Sequence, residues 1–177
     1  GTVNVLESVR KFDVERLIHT STSESYGTAQ YTPIDEKHPL QGQSPYSASK
    51  IAADKLAESY YRSFAVPVVT LRPFNTYGPR QSARAVIPTI ITQLLTSDKV
   101  QLGDLTPVRD FNYVEDTVRG FIAAATTPKI EGDLINVGHG KGISVGELAK
   151  LLMKLMGVEK NISSQETRIR PKNSEVF

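Results

Sequence analysis

The chain has 177 residues, of which 39% are hydrophobic and 23% charged, so it can bury a core and is not disordered. Its net charge of +2 comes from acidic and basic residues spread along the chain, which argues against a nucleic-acid or membrane-surface partner. The sequence contains no cysteine, no apolar run of membrane-helix length and no signal-peptide pattern, so thiol chemistry is excluded and a soluble, cytoplasmic protein is expected.

The first predicted elements are a helix and a strand. Apolar residues at helical spacing (Val3, Leu6, Val9, Phe12) predict a helix over residues 1–12. Because this pattern is already under way at residue 3, we expect a segment to precede the chain. Residues 14–23 form a short apolar run that ends in hydroxyl side chains, which is typical of a buried parallel strand.

A loop and a well-marked helix follow. Residues 28–43 are rich in Pro, Gly, Thr and Gln and predict a loop. Ser44 and Pro45 are a hydroxyl N-cap and a proline suited to the first helical position, so a helix should run to residue 64. The apolar run 66–74 predicts a second buried strand.

The rest of the chain continues the alternation of helices and strands. We predict helices over 85–95, 115–127 and 145–157, and strands within 99–104, 109–114 and 133–138. The glycines within INVGHGKGIS are interpreted as a loop. Helices of this length between short β-branched strands indicate an α/β fold with a mostly parallel sheet.

Two polar segments should meet at one edge of that sheet. STSESYG follows the first strand and RPFNTYGPR ends the second, and parallel strands place their carboxyl ends together. Tyr46 and Lys50 lie one helical turn apart, so both can face this edge. Only the small residues Ser47, Ala48 and Ser49 separate them, which leaves room for a cofactor.

A phenol and an ammonium at this spacing suit base catalysis in an oxidoreductase. A tyrosine acts as a base near neutral pH only if its pKa falls from about 10 toward 7, which costs roughly 4 kcal/mol. An ammonium about 6 Å away supplies roughly 2.8 kcal/mol at an effective dielectric of about 20. An oxidised nicotinamide could supply the remaining positive charge. The alternative is chance, since Tyr and Lys fall four residues apart on many amphipathic helices.

The ordered motifs resemble a known family. STSESYG, PYSASK, RPFNTYGPR and RDFNYVEDT are similar to the signatures of extended short-chain dehydrogenase/reductases that act on nucleotide sugars. Within that group, the chain most resembles the NAD-dependent 4,6-dehydratases of legionaminic-acid biosynthesis. The resemblance covers nearly the whole chain.

The resemblance implies the C-terminal part of a Rossmann-like doubly wound parallel sheet, with a smaller α/β substrate-binding region. Residues 1–75 would be the C-terminal part of the NAD-binding domain, and 76–177 mainly the substrate region with returning Rossmann elements. The family's N-terminal glycine-rich segment and C-terminal end are missing, so we expect an internal stretch of an enzyme roughly twice as long.

The resemblance also implies catalytic roles. Tyr46 would take the proton from the sugar C4 hydroxyl, Lys50 would lower its pKa, and Thr22 would bind the same hydroxyl. Glu24 would remove the C5 proton so that water leaves from C6. Ser23 stands where better-known dehydratases carry Asp, so it is expected to relay protons for Glu24. The alternative for STSES is a hydroxyl-rich strand end that bonds its own turn.

Binding roles follow in the same way, and no metal site is expected because the three histidines lack ligand spacing. The implied cofactor is NAD, held by Thr20, Ser21, Tyr46, Lys50, Pro73 and Asn75. The implied partner is a nucleotide-diphosphate sugar, held by Thr22, Asn75, Arg84, Arg109 and Arg170. Asp110 and Asp116 would orient the backbone and Arg109. Tyr26 would pack beside the nicotinamide or sugar, or else in the core.

Several readings stay open. A UDP- or GDP-linked N-acetylhexosamine 4,6-dehydratase is preferred, and a 4-epimerase is an alternative that shares Thr22, Tyr46 and Lys50 but needs no base at C5. A decarboxylase of nucleotide uronic acids is a third reading, and a non-catalytic binding member of the family is a fourth. The resemblance also implies a homodimer through a helical seam formed by residues 1–12 and 44–64.

Overall fold

The computed structural model describes residues 1–164, which form alternating helices and strands. The α-helices are α1 (Thr2–Lys11), α2 (Pro45–Phe64), α3 (Val86–Thr96), α4 (Val114–Thr126) and α5 (Val145–Met156). The strands are β1 (Leu17–Thr20), β2 (Val68–Pro73), β3 (Asn75–Tyr77), β4 (Lys99–Leu102), β5 (Val108–Tyr113), β6 (Leu134–Val137), β7 (Gly142–Ser144) and β8 (Asn161–Ser164). A short 3-10 helix covers Ser23–Tyr26.

The first sheet has the order β1-β2-β6, and both of its strand pairs are parallel. The side chains of β2 alternate between its faces: Val69 and Leu71 pack with Ala124 of α4, while Arg72 reaches Asp54 of α2. Helices therefore cover both faces of this sheet, which confirms the predicted Rossmann-like α/β fold. The division of the chain at residue 75 stays a prediction, although β6 returns to the first sheet from the later part.

Two smaller sheets complete the described part of the chain. The second has the order β3-β5-β7, with β3 and β5 parallel and β5 and β7 antiparallel. The third is the parallel pair β4-β8. A separate apolar cluster lies here, built on Ile90, Leu94, Val100, Leu102, Leu148 and Ala149 from α3, β4 and α5.

Three sequence predictions about strands need correction. The first strand was expected to be buried, but Leu17, Ile18 and His19 are only half-buried and Thr20 is exposed. The reason is its place at one end of the described sheet, where β2 covers a single side. The glycine segment expected to be a loop contains β7, and the short strands β3 and β8 were not predicted. Strands of three or four residues are too short to show periodicity.

Helix α2 begins and ends where its sequence dictates. The Ser44 hydroxyl accepts a hydrogen bond from the Ser47 amide at 3.1 Å, and the Ser47 hydroxyl accepts one from the Ser44 amide at 2.9 Å. This capping box satisfies two amide groups that have no partner inside the helix. The helix stops at Ala65, which adopts left-handed geometry with φ of 53°.

Arg16 joins β1 to the end of α4. Its guanidinium donates hydrogen bonds to the carbonyl oxygens of Ala124, Ala125 and Thr127 at 3.0, 3.1 and 2.7 Å, and it pairs with Glu131. Carbonyl groups in the last turn of a helix lack partners within the helix, so a cation from outside can satisfy them. Arg16 thus ties the end of α4 to the start of β1, beside the apolar packing of α4 on the sheet.

We expect Arg16→Ala to lower the free energy of unfolding by about 2 kcal/mol, because several carbonyl groups and Glu131 lose their partner together. The measurement is urea unfolding followed by circular dichroism. Arg119→Ala is the control, since Arg119 lies on α4 but pairs with Asp116 at the exposed surface. Equal midpoints for the two variants would contradict the role given to Arg16.

Candidate active site

The polar segments predicted to converge do meet at the carboxyl edge of the first sheet. Thr20 lies opposite Leu71 in the β1-β2 register, and the amide of Ser21 donates to the Leu71 carbonyl at 2.7 Å. The amide of Phe74 in turn donates to the Val137 carbonyl at 2.9 Å. Residues 21–26, 73–75 and 137–140 therefore leave adjacent strands at one edge, the usual ligand position in such sheets.

Lys50 and Tyr46 are presented to this edge by α2. The Lys50 ammonium donates a hydrogen bond to the Thr20 carbonyl at 2.6 Å, which places it at the end of β1. Tyr46 lies one turn earlier on α2, and 55% of its surface is exposed. Between them, Ser47 is buried in the capping box, whereas Ala48 and Ser49 are exposed. The helix thus offers a phenol and a fixed ammonium to a ligand above small side chains.

The segment after β1 carries the predicted base. The Thr22 hydroxyl accepts the Glu24 amide at 3.2 Å, and the Ser25 hydroxyl donates to the Thr22 carbonyl at 2.7 Å, so this segment does bond its own turn. Glu24 is half-buried as a residue, and within residues 1–164 its carboxylate makes no hydrogen bond or ion pair. Ser23 points inward, with 3% of its surface exposed. Turn formation therefore occupies Thr22 and Ser25 but leaves the Glu24 carboxylate available.

A second carboxylate, Asp54, lies buried one turn beyond Lys50. It accepts hydrogen bonds from the Ser21 hydroxyl at 2.7 Å and from Arg72 at 2.8 and 3.1 Å, and its other oxygen lies 3.0 Å from Nε2 of His19. Burial by itself would raise the pKa of the Asp54 carboxyl. The hydrogen bonds from His19, Ser21 and Arg72, with the charge of Arg72, outweigh that effect and hold this pKa below its ordinary value.

Tyr26 is a core residue, so the alternative to its predicted place beside the cofactor is correct. It is fully buried, and the Arg72 guanidinium stacks over its ring at 4.8 Å from the centroid. Its hydroxyl donates to Oδ1 of Asn136 at 2.8 Å. Burial raises the pKa of the Tyr26 phenol against the opposing influence of Arg72. Tyr26 therefore fixes the end of the 3-10 helix.

A cavity of about 500 Å³ opens beyond the ends of β2 and β6. Its lining includes Ile34, Phe74, Asp110, Asn136 and Lys141. The Asp110 carboxylate accepts the amides of His139 and Gly140 at 3.0 and 2.8 Å, so it orients the glycine segment that forms one wall. The expected backbone role of Asp110 is therefore confirmed. Asp116 was expected to orient Arg109, but it pairs with Arg119 at the surface.

The predicted substrate residues are dispersed. Asn75 begins β3 and is paired in register with Phe111 of β5, close to the sheet edge. Arg84 is exposed in the loop before α3. Arg109 lies on β5 between Val108 and Asp110, which line the cavity, so strand alternation turns it to the other face of that strand. Arg170 lies outside the described residues.

The buried network around Asp54 was missed by sequence reasoning. The available signals were an aspartate four residues after Lys50 on the buried side of α2 and an arginine inside the apolar strand β2. A buried charge implies a buried partner, but which strand supplies it depends on the register between helix and sheet. In residues 1–164, no helix is long and apolar enough to cross a membrane, and no group of His, Asp or Glu could hold a metal ion.

Comparisons with known proteins agree with this geometry. A family model described as GDP-mannose 4,6 dehydratase matches residues 1–176. The dTDP-glucose 4,6-dehydratase of Streptomyces griseus is 37% identical over 160 residues, which are 90% of this chain and 48% of that protein. The chain thus spans about half the length of the curated relatives it matches.

Solved structures give the same result. The dTDP-glucose 4,6-dehydratase of Bacillus anthracis in complex with NAD superposes with a TM-score of 0.90 at 31% identity, covering 99% of this chain and 56% of that one. The UDP-glucuronic acid 4-epimerase of Bacillus cereus, solved with UDP-glucuronic acid and NAD, superposes with a TM-score of 0.87 at 31% identity, covering 99% and 57%. Proteins with different reactions on the sugar therefore share this fold.

The lowered pKa of Asp54 leads to a pH-dependent stability prediction. Because the folded pKa lies below the unfolded value, ionised Asp54 stabilises the fold above about pH 4, and this contribution is lost as pH falls further. We expect Asp54→Asn to lower the free energy of unfolding by about 3 kcal/mol at neutral pH, since it disrupts a buried ion pair.

Urea unfolding from pH 7 to pH 3 measures this effect. The difference in the free energy of unfolding between wild type and Asp54→Asn should stay constant down to about pH 4 and become smaller below it. Glu58→Gln, a matched change at the surface of α2 where Glu58 pairs with Lys55 and Arg62, should have a much smaller effect. If the free-energy difference between wild type and Asp54→Asn already becomes smaller between pH 7 and pH 5, the stabilising role assigned to ionised Asp54 is contradicted.

Proposed function

The chain belongs to the NAD-dependent nucleotide-sugar dehydratase and epimerase family of extended short-chain dehydrogenase/reductases, and we propose that the protein containing it is a 4,6-dehydratase. The proposed substrate is a UDP- or GDP-linked N-acetylhexosamine, which becomes the 4-keto-6-deoxy sugar on a route to legionaminic acid and cell-surface polysaccharide. The observation that carries this proposal is Glu24, a half-buried carboxylate without a partner in residues 1–164, beside the edge where Lys50 and Tyr46 are presented.

We place NAD at the carboxyl edge of the first sheet, beside the residues predicted to hold it. Thr20 and Ser21 end β1, while Pro73 and Asn75 lie where β2 passes into β3, so these four residues border one open edge. Lys50 is held there by its hydrogen bond to the Thr20 carbonyl, and an ammonium can donate further bonds to ribose hydroxyls. When bound, NAD supplies the acceptor for the hydride that leaves C4 and the donor for the hydride that returns to C6.

Tyr46 and Thr22 act on the C4 hydroxyl. The neighbouring Lys50 charge stabilises Tyr46 as a phenolate, and this phenolate accepts the proton of the C4 hydroxyl as the C4–H bond breaks, which converts it to the neutral phenol. The Thr22 hydroxyl already accepts the Glu24 amide, yet it retains its own proton and can donate it to the C4 oxygen. Tyr46 thus removes a proton from the sugar, and Thr22 stabilises the negative charge that develops on the C4 oxygen.

Glu24 then carries out the elimination. Oxidation at C4 acidifies the hydrogen at C5, so a carboxylate beside it can remove that proton. The same carboxyl group, now protonated, can deliver the proton to the departing C6 hydroxyl, which leaves as water, and C5 afterwards takes up a proton that comes from solvent. Ser23 is almost fully buried, so we assign it to supporting Glu24 and relaying its proton rather than to direct contact with the sugar.

A 4-epimerase is the second candidate, supported by the similarity to UDP-glucuronic acid 4-epimerase. Such an enzyme uses the same oxidation at C4 and returns the hydride to the opposite face of C4. It needs no group that removes the C5 proton. The Glu24 carboxylate, which has no hydrogen-bond or ion-pair partner in residues 1–164, therefore favours dehydration, because it is free to act as the base that the proposed elimination requires.

Proton NMR in deuterated water tests the proposed function. The full-length protein, incubated with UDP- or GDP-linked N-acetylglucosamine, should produce a new methyl signal and carry deuterium at C5. Glu24→Gln should slow methyl formation by roughly 10²- to 10⁴-fold, as expected for loss of a general base. Oxidation at C4, followed by absorbance at 340 nm, should remain because Tyr46 and Lys50 are intact.

Glu15→Gln is the matched control, since Glu15 is exposed between α1 and β1 and should leave the rate unchanged. A changed coupling at C4, with oxygen still present at C6, would show epimerisation and overturn the dehydratase assignment. Release of carbon dioxide from a nucleotide uronic acid would instead identify a decarboxylase.

We also propose a homodimer through α1 and α2. Leu6 and Val9 of α1 pack with Leu56 and Tyr60 of α2 and with Val66 just after α2. Apolar side chains on or directly after these helices nevertheless stay exposed: Val3, Val5, Phe12, Tyr61 and Phe64. An apolar surface of this kind on neighbouring helices is typical of a subunit interface. Pairing two copies would form a seam of four helices.

Val5→Glu should shift the full-length protein from dimer to monomer, because a charge buried in an apolar interface is strongly unfavourable. The measurement is size-exclusion chromatography with light scattering. Val118→Glu on α4 is the control, since Val5 and Val118 are both 49% exposed. A dimer that survives Val5→Glu, or one that is lost equally in both variants, would argue against this seam.

A further inference from the structure

The buried Asp54 carboxylate is connected to the residues proposed to carry out the reaction, although it does not contact the open edge itself. It lies on α2 one turn after Lys50 and two turns after Tyr46, so the three side chains form one stripe along the helix. We propose that Asp54 is a positioning residue: it locks α2 against the end of β1 and thereby sets where Lys50 and Tyr46 meet the segment carrying Thr22 and Glu24.

The hydrogen bonds between α2 and β1 involve three successive residues. Asp54 lies 3.0 Å from Nε2 of His19, Lys50 donates to the Thr20 carbonyl at 2.6 Å, and Asp54 accepts the Ser21 hydroxyl at 2.7 Å. The bonds of Asp54 thus flank the bond of Lys50 on both sides. If α2 slid or rotated by one residue, both Asp54 bonds would break. The position of Lys50 therefore depends on that of Asp54.

Arg72 links Asp54 to Tyr26, which lies at the far end of the 3-10 helix. It donates two hydrogen bonds to Asp54 and stacks on the ring of Tyr26, whose hydroxyl is tied to Asn136. Ser21 and Tyr26 stand on either side of residues 22–25, and both are linked to Asp54, directly or through Arg72. The segment that presents Glu24 is therefore held at its two ends by one carboxylate.

Asp54 acts through geometry rather than through its electric field at the site. Its negative charge faces the guanidinium of Arg72 at 2.8 Å, so the pair is close to neutral as seen from Lys50. Loss of the carboxylate should let the Lys50 ammonium move away from the end of β1. A retreat of the ammonium from the sheet edge would weaken its attraction to an ionised Tyr46, so activity should require a higher pH.

This inference rests on the proposed function only in that Tyr46 and Lys50 take part in catalysis. Its first test is Asp54→Asn in the full-length protein, compared with Glu58→Gln on the same helix. Misplacement of a catalytic group by about 1 Å can cost up to about 10²-fold. We expect kcat to fall at least tenfold with KM within twofold. The pH–rate profile is compared in His19→Phe, which keeps the Asp54–Arg72 pair intact, and its acidic limb should move to higher pH. Glu58→Gln should match wild type.

Variants of His19 keep the test decisive if Asp54→Asn does not fold. His19→Phe removes a donor to Asp54 with little change in shape, while His19→Gln can place an amide donor near the position of Nε2. We expect His19→Phe to lower kcat about threefold, in line with the loss of one hydrogen bond, and His19→Gln to restore most of it. If Asp54 had a purely structural role, the pH–rate profile would not shift, and His19→Phe and His19→Gln would have the same kcat.

A second measurement does not depend on turnover. Reductive methylation of Lys50, followed by mass spectrometry, should be several-fold faster in Asp54→Asn or His19→Phe than in wild type, because the amine loses its fixed place at the Thr20 carbonyl. If wild type forms no methyl sugar, the proposed function fails, yet the labelling rates still decide the positioning role. Unchanged labelling in folded variants, or a loss of kcat with an unchanged pH profile, would overturn it.

Discussion

The buried carboxylate of Asp54 is the constraint on which the rest of the site depends. A carboxylate with only 4% of its residue surface exposed is tolerated only if its lone pairs are satisfied and its charge is paired. His19 and Ser21 of the β1 end and Arg72 of β2 meet both requirements. Because these partners come from two strands, α2 has one position in which the charge is compensated. Helix and sheet edge are thereby assembled as a unit.

The site contains two carboxylates in opposite situations, and the contrast separates structure from chemistry. Every side-chain partner of Asp54 is a donor that favours its ionised form, so it has no proton to exchange near neutral pH. Glu24 makes no such bonds in residues 1–164, and it is only half-buried at the sheet edge. A group that must take up and release a proton has to keep its lone pairs free for the substrate. By this criterion Glu24 suits catalysis and Asp54 suits assembly.

The sequence was sufficient for the order of the long elements and for the positions of Tyr46 and Lys50 one turn apart on α2, because both depend on local periodicity and capping. It was insufficient wherever a contact depends on register. The strands β3, β7 and β8 have three or four residues, and their pairing energy comes from distant partners. Arg109 stays a predicted substrate residue, and its place on the face of β5 opposite Val108 and Asp110, which line the cavity, depends on strand alternation. Tyr26 is held in the core by Arg72, a partner that no local pattern indicates.

The shared fold explains why dehydratases and epimerases are hard to separate by overall similarity. In the mechanism proposed above, both reactions begin with removal of a proton and a hydride at C4 and use the same phenol and ammonium, and the helix-to-strand bonds hold Lys50 at the sheet edge where that step would occur. What differs is the fate of the C4 ketone. The ketone is either reduced again at C4, or it acidifies the hydrogen at C5 so that elimination can follow. That choice depends on whether a base faces C5, and a single side chain such as Glu24, carried on a short turn clamped at both ends, can decide it while the fold stays the same.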